Sequence, residues 1–194
     1  MPDSSTPPLS TVPALARART PSGRPGPGEF ADYAAADIAL VPGEDAVAAL
    51  AQQTSYTLAL LAHISDAEAG RCSYAPGKWT LKQILGHLTD DERIFGYRML
   101  CLARKDPAAL PGFDENLYVR SAGFEGRTWV SLMSEYQAVR ESSLVFLKTL
   151  SPEAWLRRGT VNGYEASVRG LAFHIVGHEL HHLDVIRERY LPLL

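Results

Sequence analysis

The sequence predicts an all-α fold, an antiparallel four-helix bundle that follows a disordered tail rich in proline. Four long segments repeat apolar residues at the three- to four-residue spacing of a helix that buries one face. No segment alternates apolar and polar residues over several consecutive strands, which disfavours a fold built on a sheet. Seven of the thirteen prolines fall within residues 1–27, where the chain cannot bury enough apolar surface to offset its ordering entropy. We therefore expect a disordered Pro-, Ser-, Gly- and Arg-rich tail over residues 1–29 and the bundle over residues 30–194.

Each helix is predicted from its apolar stripe and from the signals at its ends. The second helix opens at Thr80, because Thr80 and Gln83 have the spacing of a capping box, in which each side chain binds a free backbone amide of the first turn. Its apolar positions then keep one stripe as far as Leu102. Ser151 and Pro152 predict a short extra helical turn after the third helix. The four predicted helices cover about residues 45–65, 80–102, 128–150 and 167–190.

Two long connections interrupt this pattern. Residues 105–126 link the second helix to the third. Residues 157–167 precede the fourth helix and contain Asn162 and Gly163, a pair typical of tight turns, so this segment forms either a small hairpin or a loop. An antiparallel bundle is the simplest arrangement that buries four apolar stripes against one another.

Length and composition are those of a globular protein with one domain. The 194 residues are 46% hydrophobic and 21% charged, and a formal net charge of −3 gives no general attraction to nucleic acid. No apolar run approaches the ~20 residues needed to span a bilayer, and the N-terminus lacks the apolar core of a secretory signal. Cys72 and Cys101 stand far apart, as reduced cytosolic thiols do. We expect a cytoplasmic protein with neither a membrane nor a nucleic acid as its partner.

Histidines repeat every fourth residue on the fourth helix, at His174, His178 and His182, and His181 lies beside them. Residues four apart share a helix face, so His178 and His182 can present their rings to one ion. The neighbours on that face are apolar, and an unsatisfied polar group buried there costs about 1–3 kcal/mol. A divalent metal ion would satisfy both rings, and His174 could replace His182 as the partner of His178.

A metal site inside a bundle also needs a ligand from a facing helix, and His87 on the second helix is the candidate. Three histidines with one open position suit Zn²⁺, Ni²⁺ or Fe²⁺ and are typical of catalytic rather than structural sites. Asp90 and Asp91 follow on the same face, and either could bind the far nitrogen of a ligand ring or a metal-bound water. The alternative is that the histidines are hydrogen-bonded core or surface residues without a metal.

His178, Glu179 and His182 also form an H-E-x-x-H sequence, a signature of zinc peptidases in which the Glu acts on a bound water. Such enzymes take a third ligand from further along the chain, whereas residues 183–194 contain neither a Gly nor another His. No predicted sheet could align a peptide. Glu179 lies about 100° around the helix from His178 and could at most assist a bound water. A peptidase is therefore a minor alternative.

Two segments resemble the signature segments of the DinB-like, or YfiT-like, superfamily. They are YAPGKWTLKQILGHLTDDERIFGYRML, residues 74–100, and FHIVGHELHHLDVIRERY, residues 173–190. The resemblance spans about residues 30–190 and implies an up-down four-helix bundle with long crossover connections, which is often a homodimer. It also implies a divalent metal bound by three histidines, and it places Asp90 and Glu92 on the acidic positions of the motif. By that motif the ligands are His87, His178 and His182.

The resemblance extends to function. Similar proteins include transferases and isomerases that use the metal to activate a low-molecular-weight thiol, and metal-dependent hydrolases. We therefore expect a metal-dependent transferase or hydrolase with a small-molecule substrate, in which Lys78, Arg98 or Arg120 holds the carboxylates of a thiol cosubstrate. The alternative is a non-catalytic, stress-related dimer in which the ion only joins helices. The candidates for a catalytic role are Asp90, Asp91 and Glu179.

Overall fold

The computed structural model describes residues 23–194, so residues 1–22 of the tail predicted over residues 1–29 lie outside the described residues. The described chain is mostly helical, as the sequence predicts, and none of its helices is long and apolar enough to cross a membrane. Its helices and strands are, in chain order, α1 (Ala35–Leu40), α2 (Ala46–Leu61), α3 (Asp66–Arg71), α4 (Leu81–Ala103), α5 (Glu115–Ala122), α6 (Trp129–Lys148), α7 (Pro152–Trp155), β1 (Arg158–Val161), β2 (Tyr164–Ser167) and α8 (Val168–Val185). Shorter helical segments are the 3₁₀ turns Asp32–Ala34, Phe124–Gly126 and Leu191–Leu193 and the π-helical segment Ile186–Tyr190.

The long helices α2, α4, α6 and α8 correspond to the four predicted ones, and side-chain caps fix where they begin. Thr80 Oγ1 accepts from the Gln83 amide at 3.3 Å while Gln83 Oε1 accepts from the Thr80 amide at 2.8 Å, so the predicted capping box is confirmed. Thr128 and Ser167 cap α6 and α8, each by accepting from the amide three residues on. Ser151 caps α7 in the same way, which confirms the predicted extra turn.

The segment ahead of α8 forms a hairpin, which decides between the two predicted possibilities. β1 and β2 pair antiparallel, with Val161 opposite Tyr164. Asn162 and Gly163 between them have φ angles of 52° and 79°, the left-handed conformation that two-residue hairpin turns favour. The hairpin leads directly into Ser167, the cap of α8, and so sets where that helix begins.

Three short helices, α1, α3 and α5, lie where the sequence predicts none. Asp114 caps α5 by accepting from the Leu117 amide at 2.9 Å, and Gly123 ends it in the left-handed conformation with φ 65°. Ser65 and Glu68 form a capping box at α3. Helices of six to eight residues are too short for an apolar stripe to stand out, so these caps are the signals that could have indicated them.

Contacts along the bundle show that α4 and α6 run in the same direction. Near the start of α4, Lys82 Nζ donates to the carbonyl of Arg127, just ahead of α6, at 2.7 Å. Further along both helices, Glu92 of α4 accepts from Arg140 of α6 at 2.9 Å. Later residues of one helix therefore meet later residues of the other.

The last helix, α8, runs antiparallel to α4. His87 in the first half of α4 lies against His182, late in α8, with 5.1 Å between the ring centres. Phe95, further along α4, packs instead on His174, early in α8, at 5.0 Å. This antiparallel contact is what brings the histidines of the two helices together.

The first long helix, α2, runs parallel to α8. Gln53 Nε2 donates to the carbonyl of Val176 at 3.0 Å. About one turn later, Thr57 Oγ1 donates to Glu179 at 2.5 Å. The long helices, taken in chain order, thus point up, down, down and up, which differs from the simple alternation that an up-down bundle implies.

This order of directions depends on the connections. Because α4 has 23 residues, it is about 35 Å long. Residues 104–128 carry the chain back along that length before α6 begins. The four long helices form a ring in which α2 and α4 each pack against both α6 and α8. The first connection therefore joins two helices at diagonal positions, α2 and α4, and the last connection likewise joins α6 to α8. The connections are therefore long crossovers.

The N-terminal part of the domain begins earlier than the predicted boundary between residues 29 and 30. Glu29 is buried, and its carboxylate accepts from Ser167 Oγ at 2.9 Å. The same carboxylate accepts from Arg169 at 2.6 and 3.1 Å. These bonds attach Glu29 to the start of α8, one residue ahead of the predicted boundary.

A polar layer crosses the bundle between two apolar clusters. One cluster joins the first half of α2 to the second half of α4 and the first half of α8. The other joins the end of α2 to the first half of α4 and the end of α8. Between the two clusters, His87, Glu92, Arg140 and Glu179 are buried. Buried polar groups need partners, so the candidate site is built in this layer.

Candidate metal centre

Three histidine rings meet in the polar layer, one from α4 and two from α8. Nε2 of His178 lies 3.3 Å from Nε2 of His87 and 3.2 Å from Nε2 of His182. One nitrogen of each ring lies within 4.8 Å of a nitrogen of both others. The structure therefore brings together the three residues that the helix spacing and the motif indicate.

The spacing of these nitrogens fits a single divalent ion. Zinc binds imidazole nitrogens at about 2.0–2.1 Å in tetrahedral geometry, which puts two ligand nitrogens about 3.3 Å apart. The two Nε2 separations of 3.2 and 3.3 Å agree with that distance. Among residues 23–194, no fourth His, Cys, Asp or Glu joins the group. An ion held here would keep a position for a ligand from outside the protein.

Asp91 supports one of the three rings from behind. Its Oδ2 lies 3.2 Å from Nδ1 of His178, and the side chain is buried. A carboxylate in this position holds the Nδ1 proton, so the lone pair of Nε2 points toward the other two rings. Asp90, the other predicted candidate, is half-buried and pairs with Arg93 at 3.2 Å instead.

The electrostatics of the cluster keep two of the rings neutral at physiological pH. Burial, with a further contribution from the charge of His178, lowers the pKa of His87 to about 4 and the pKa of His182 to about 2. Burial alone would also lower the pKa of His178, but the hydrogen bond and the charge of Asp91 raise it above its usual value. Burial raises the pKa of Asp91, yet His178 lowers it overall. Neutral imidazoles are the form that binds metal ions.

Trp79 covers the cluster at the start of α4. Its ring centre lies 4.8 Å from that of His87, and it stacks on His182 at 6.4 Å with an interplanar angle of 18°. Tyr190 Oη donates to the carbonyl of Trp79 at 2.7 Å, so the end of the chain holds this residue in place. No spacing in the sequence assigns Trp79 a role at the site. Its position directly before the capping residue Thr80 is the signal that could have placed it near His87.

Glu179, the catalytic residue of the peptidase alternative, does not join the three histidines. Its Oε1 accepts from Thr57 Oγ1 and Tyr136 Oη, each at 2.5 Å. Its Oε2 accepts from Arg140 at 2.5 Å, and Arg140 also binds Glu92. Because both oxygens are engaged inside the bundle, we leave Glu179 out of the proposed chemistry. The geometry gives the peptidase alternative no support.

The other two histidines of α8 lie outside the cluster. His174 Nε2 lies 3.8 Å from Asp37 Oδ2, and its ring packs edge-on against Phe95. His181 is exposed. The alternative set with His174 in place of His182 is therefore not the one that the fold brings together.

Two cavities flank the three histidines. One, of about 260 Å³, is lined by His182 and Lys78. The other, of about 240 Å³, is lined by His178 and Arg98. Two of the three cations that the sequence analysis assigns to a thiol cosubstrate therefore lie beside the cluster. The third, Arg120, is exposed on α5 and lines neither cavity.

Residues from the short elements complete the second cavity. Tyr33 and Asp37 reach it from the N-terminal segment, and Glu115 reaches it from α5. Gly177 lets α1 lie close against α8, because a Cβ at that position would overlap the carbonyl oxygen of Asp37. Tyr33, Asp37 and Glu115 come from segments without a periodic pattern, so nothing in the sequence places them at the site.

The fold and the site define a helical-bundle protein with a three-histidine cluster between two of its long helices. The chain belongs to the DinB superfamily, whose family model matches residues 49–186. Among solved structures it is similar to YfiT from Bacillus subtilis, with 17% sequence identity and a TM-score of 0.68, and the match covers 89% of this chain and 95% of that one. YfiT is described as a probable metal-dependent hydrolase with an unusual four-helix bundle topology. No curated protein matches the sequence.

Proposed function

We propose that the protein is an enzyme that depends on a divalent metal ion held by His87, His178 and His182. The observation that carries the proposal is the convergence of their Nε2 atoms, two pairs of which are 3.2 and 3.3 Å apart, without a fourth ligand from residues 23–194. A donor set of three imidazoles suits Zn²⁺, Ni²⁺ or Fe²⁺. The description of YfiT as a probable metal-dependent hydrolase supports the same class.

Such an ion lowers the pKa of a bound water or thiol and supplies a nucleophile at neutral pH. The protein's own residues prepare the site for it. Asp91 holds the Nδ1 proton of His178 and thereby the orientation of that ring, so it acts on a ligand rather than on the substrate. Trp79 packs against the rings of His87 and His182 and so restricts their orientation.

The two cavities favour an enzyme over a non-catalytic bundle in which the ion only joins helices. They lie at His182 and at His178 and leave room for a small-molecule substrate beside the cluster. With water as the nucleophile the reaction is a hydrolysis, and with a low-molecular-weight thiol it is a transfer to an electrophile. Lys78, which lines the cavity beside His182, supports a thiol that carries a carboxylate.

We further propose that the protein acts in the cytoplasm as a homodimer. Cys72 and Cys101 are buried and form no disulfide, the state expected in a reducing compartment. Tyr97 on α4 and Val145 on α6 are 59% and 61% exposed. Exposed apolar side chains on neighbouring helices support a second copy as the partner that covers them.

Turnover by the purified protein tests the proposed function. Esters and amides would report hydrolysis, and small thiols offered with electrophilic acceptors would report transfer. We expect turnover to stop in a chelator and to return when Zn²⁺, Ni²⁺ or Fe²⁺ is added. The His87→Ala variant should stay inactive after the metal is returned, whereas His63→Ala, which alters an exposed histidine outside the cluster, should recover like the wild type. Turnover that persists in the chelator and in His87→Ala would contradict a metal mechanism.

A further inference from the structure

We infer that the cavity beside His182 binds a substrate in which a planar apolar body carries a negatively charged group, as in an aryl carboxylate. The inference rests on the proposed metal-dependent function and adds the substrate class to it. Three observations support it. The cavity has aromatic walls, the cations near it have no carboxylate partner in the described part of the chain, and carboxylates outnumber the permanent cation in the cavity beside His178.

The walls of the cavity are aromatic and aliphatic. Tyr74 packs edge-on against Tyr190 with 5.2 Å between the ring centres, and Trp79 stacks on His182. A volume of about 260 Å³ lies just below the range of typical ligand pockets, about 300–1,000 Å³, so it suits a single ring with one or two substituents. Flat rings bury well between such walls. The aliphatic lining residues are Ile84 and Val185.

Lys78 at this cavity and Arg189, which packs on the lining residue Tyr74, have no carboxylate partner among residues 23–194. Lys78 lines it, and Lys78 Nζ lies 5.9 Å from the centre of the Tyr74 ring. The guanidinium of Arg189 lies 5.4 Å from the centre of the same ring. Within residues 23–194 neither cation forms a salt bridge, and no Asp or Glu lines the cavity. An anionic group bound here would meet the positive charge of Lys78 without competition from a lining carboxylate.

The cavity beside His178 has the opposite character. Asp37, Asp91 and Glu115 line it together with Arg98, so carboxylates outnumber the permanent cation. The two cavities lie on either side of the start of α5, where Glu115 lines this cavity and the next residue, Asn116, lines the other. An anion is disfavoured on this side, and the difference in charge therefore orients the substrate with its anionic end at Lys78.

Three thiols of similar size and different charge test this assignment: 4-mercaptobenzoate, thiophenol and 4-(aminomethyl)thiophenol. Each is titrated into cobalt-loaded protein, where a thiol that reaches the ion gives a sulfur-to-cobalt absorption band. We expect 4-mercaptobenzoate to bind about two- to fivefold more tightly than thiophenol, since Lys78 is exposed and an ion pair with an exposed lysine contributes modestly to affinity. The cationic probe should bind more weakly than thiophenol.

Charge-reversal variants test whether Lys78 and Arg189 determine the order of affinities of the three thiols. Lys78→Glu should reverse it, so that 4-(aminomethyl)thiophenol binds best, and Arg189→Glu should shift it in the same direction. Lys105→Glu, which alters an exposed lysine beyond the end of α4, should keep the wild-type order. Equal affinities of the wild type for the three thiols, or an unchanged order in Lys78→Glu, would overturn the inference alone. A protein that takes up no cobalt, as its spectrum shows before any thiol is added, would overturn the proposed function and the inference with it.

Discussion

Replacing Arg140 with Met is expected to lower the free energy of unfolding by about 3–5 kcal/mol, because two buried carboxylates would lose the cation that both contact. Arg140 is 1% exposed, and its Nε lies 2.9 Å from each carboxylate oxygen of Glu92. Its Nη2 lies 2.5 Å from Oε2 of Glu179. An intact buried ion pair adds little net stability, but a buried charge that has lost its partner is costly.

The same contacts determine the protonation states of Arg140 and Tyr136. Burial would lower the pKa of Arg140, but Glu179 and Glu92 raise it above its usual value. Burial, and then the charge of Glu179, raise the pKa of Tyr136, which donates to Glu179 at 2.5 Å. Arg140 and Tyr136 therefore keep their protons at physiological pH, and both continue to donate to Glu179.

Urea denaturation of matched variants measures the effect. Arg93→Met is the control, because Arg93 also bridges two carboxylates but its side chain is 45% exposed, so we expect a loss of about 0–1 kcal/mol. Adding Glu92→Gln and Glu179→Gln to Arg140→Met should recover part of the loss, since neither of the two side chains that Arg140 contacts would then carry a buried charge. Equal losses for Arg140→Met and Arg93→Met would contradict a buried charge layer.

The Asp91→Asn variant is expected to bind zinc about 10–100-fold more weakly than the wild type, the usual effect of removing a carboxylate that supports a ligand histidine. Asp91 Oδ2 lies 3.2 Å from Nδ1 of His178. Asn keeps the shape of the side chain, but it loses the charge that raises the pKa of His178 and strengthens Nε2 as a ligand. Competition with a chromophoric chelator measures the affinity.

The neighbouring residue provides the control for this variant. Asp90 contacts Arg93 rather than a ligand histidine, so Asp90→Asn should bind zinc as the wild type does. Both variants remove one negative charge from the same turn of α4, so a general change of charge would affect them alike. If both lost the same affinity, or if neither lost any, Asp91 would not be the group that supports His178.

The three histidines could be predicted from the sequence because two of them are linked by local geometry. His178 and His182 share a helix face however the helix packs. The prediction of His87 needed the further assumption that its helix faces the last one, together with the resemblance of the flanking motif. The structure confirms that α4 packs against α8 at these residues.

Other parts of the site depend on the tertiary structure. Asp90 and Asp91 differ by about 100° around α4, and which of them meets His178 depends on how α4 is rotated against its neighbours. The directions of the helices depend on the path of residues 104–128, whose composition does not reveal that they return along the bundle. Asp37 and Glu115 reach the second cavity from short helices, where no periodic pattern marks a buried face.

The metal content of the purified protein tests the three-histidine site most directly. Elemental analysis after zinc loading and dialysis should find one zinc ion per chain in the wild type and in the His63→Ala control. Each variant that lacks one ligand ring should retain far less, because two imidazoles hold the ion weakly. These variants are His87→Ala, His178→Ala and His182→Ala. Full zinc occupancy in all three would contradict the three-histidine site.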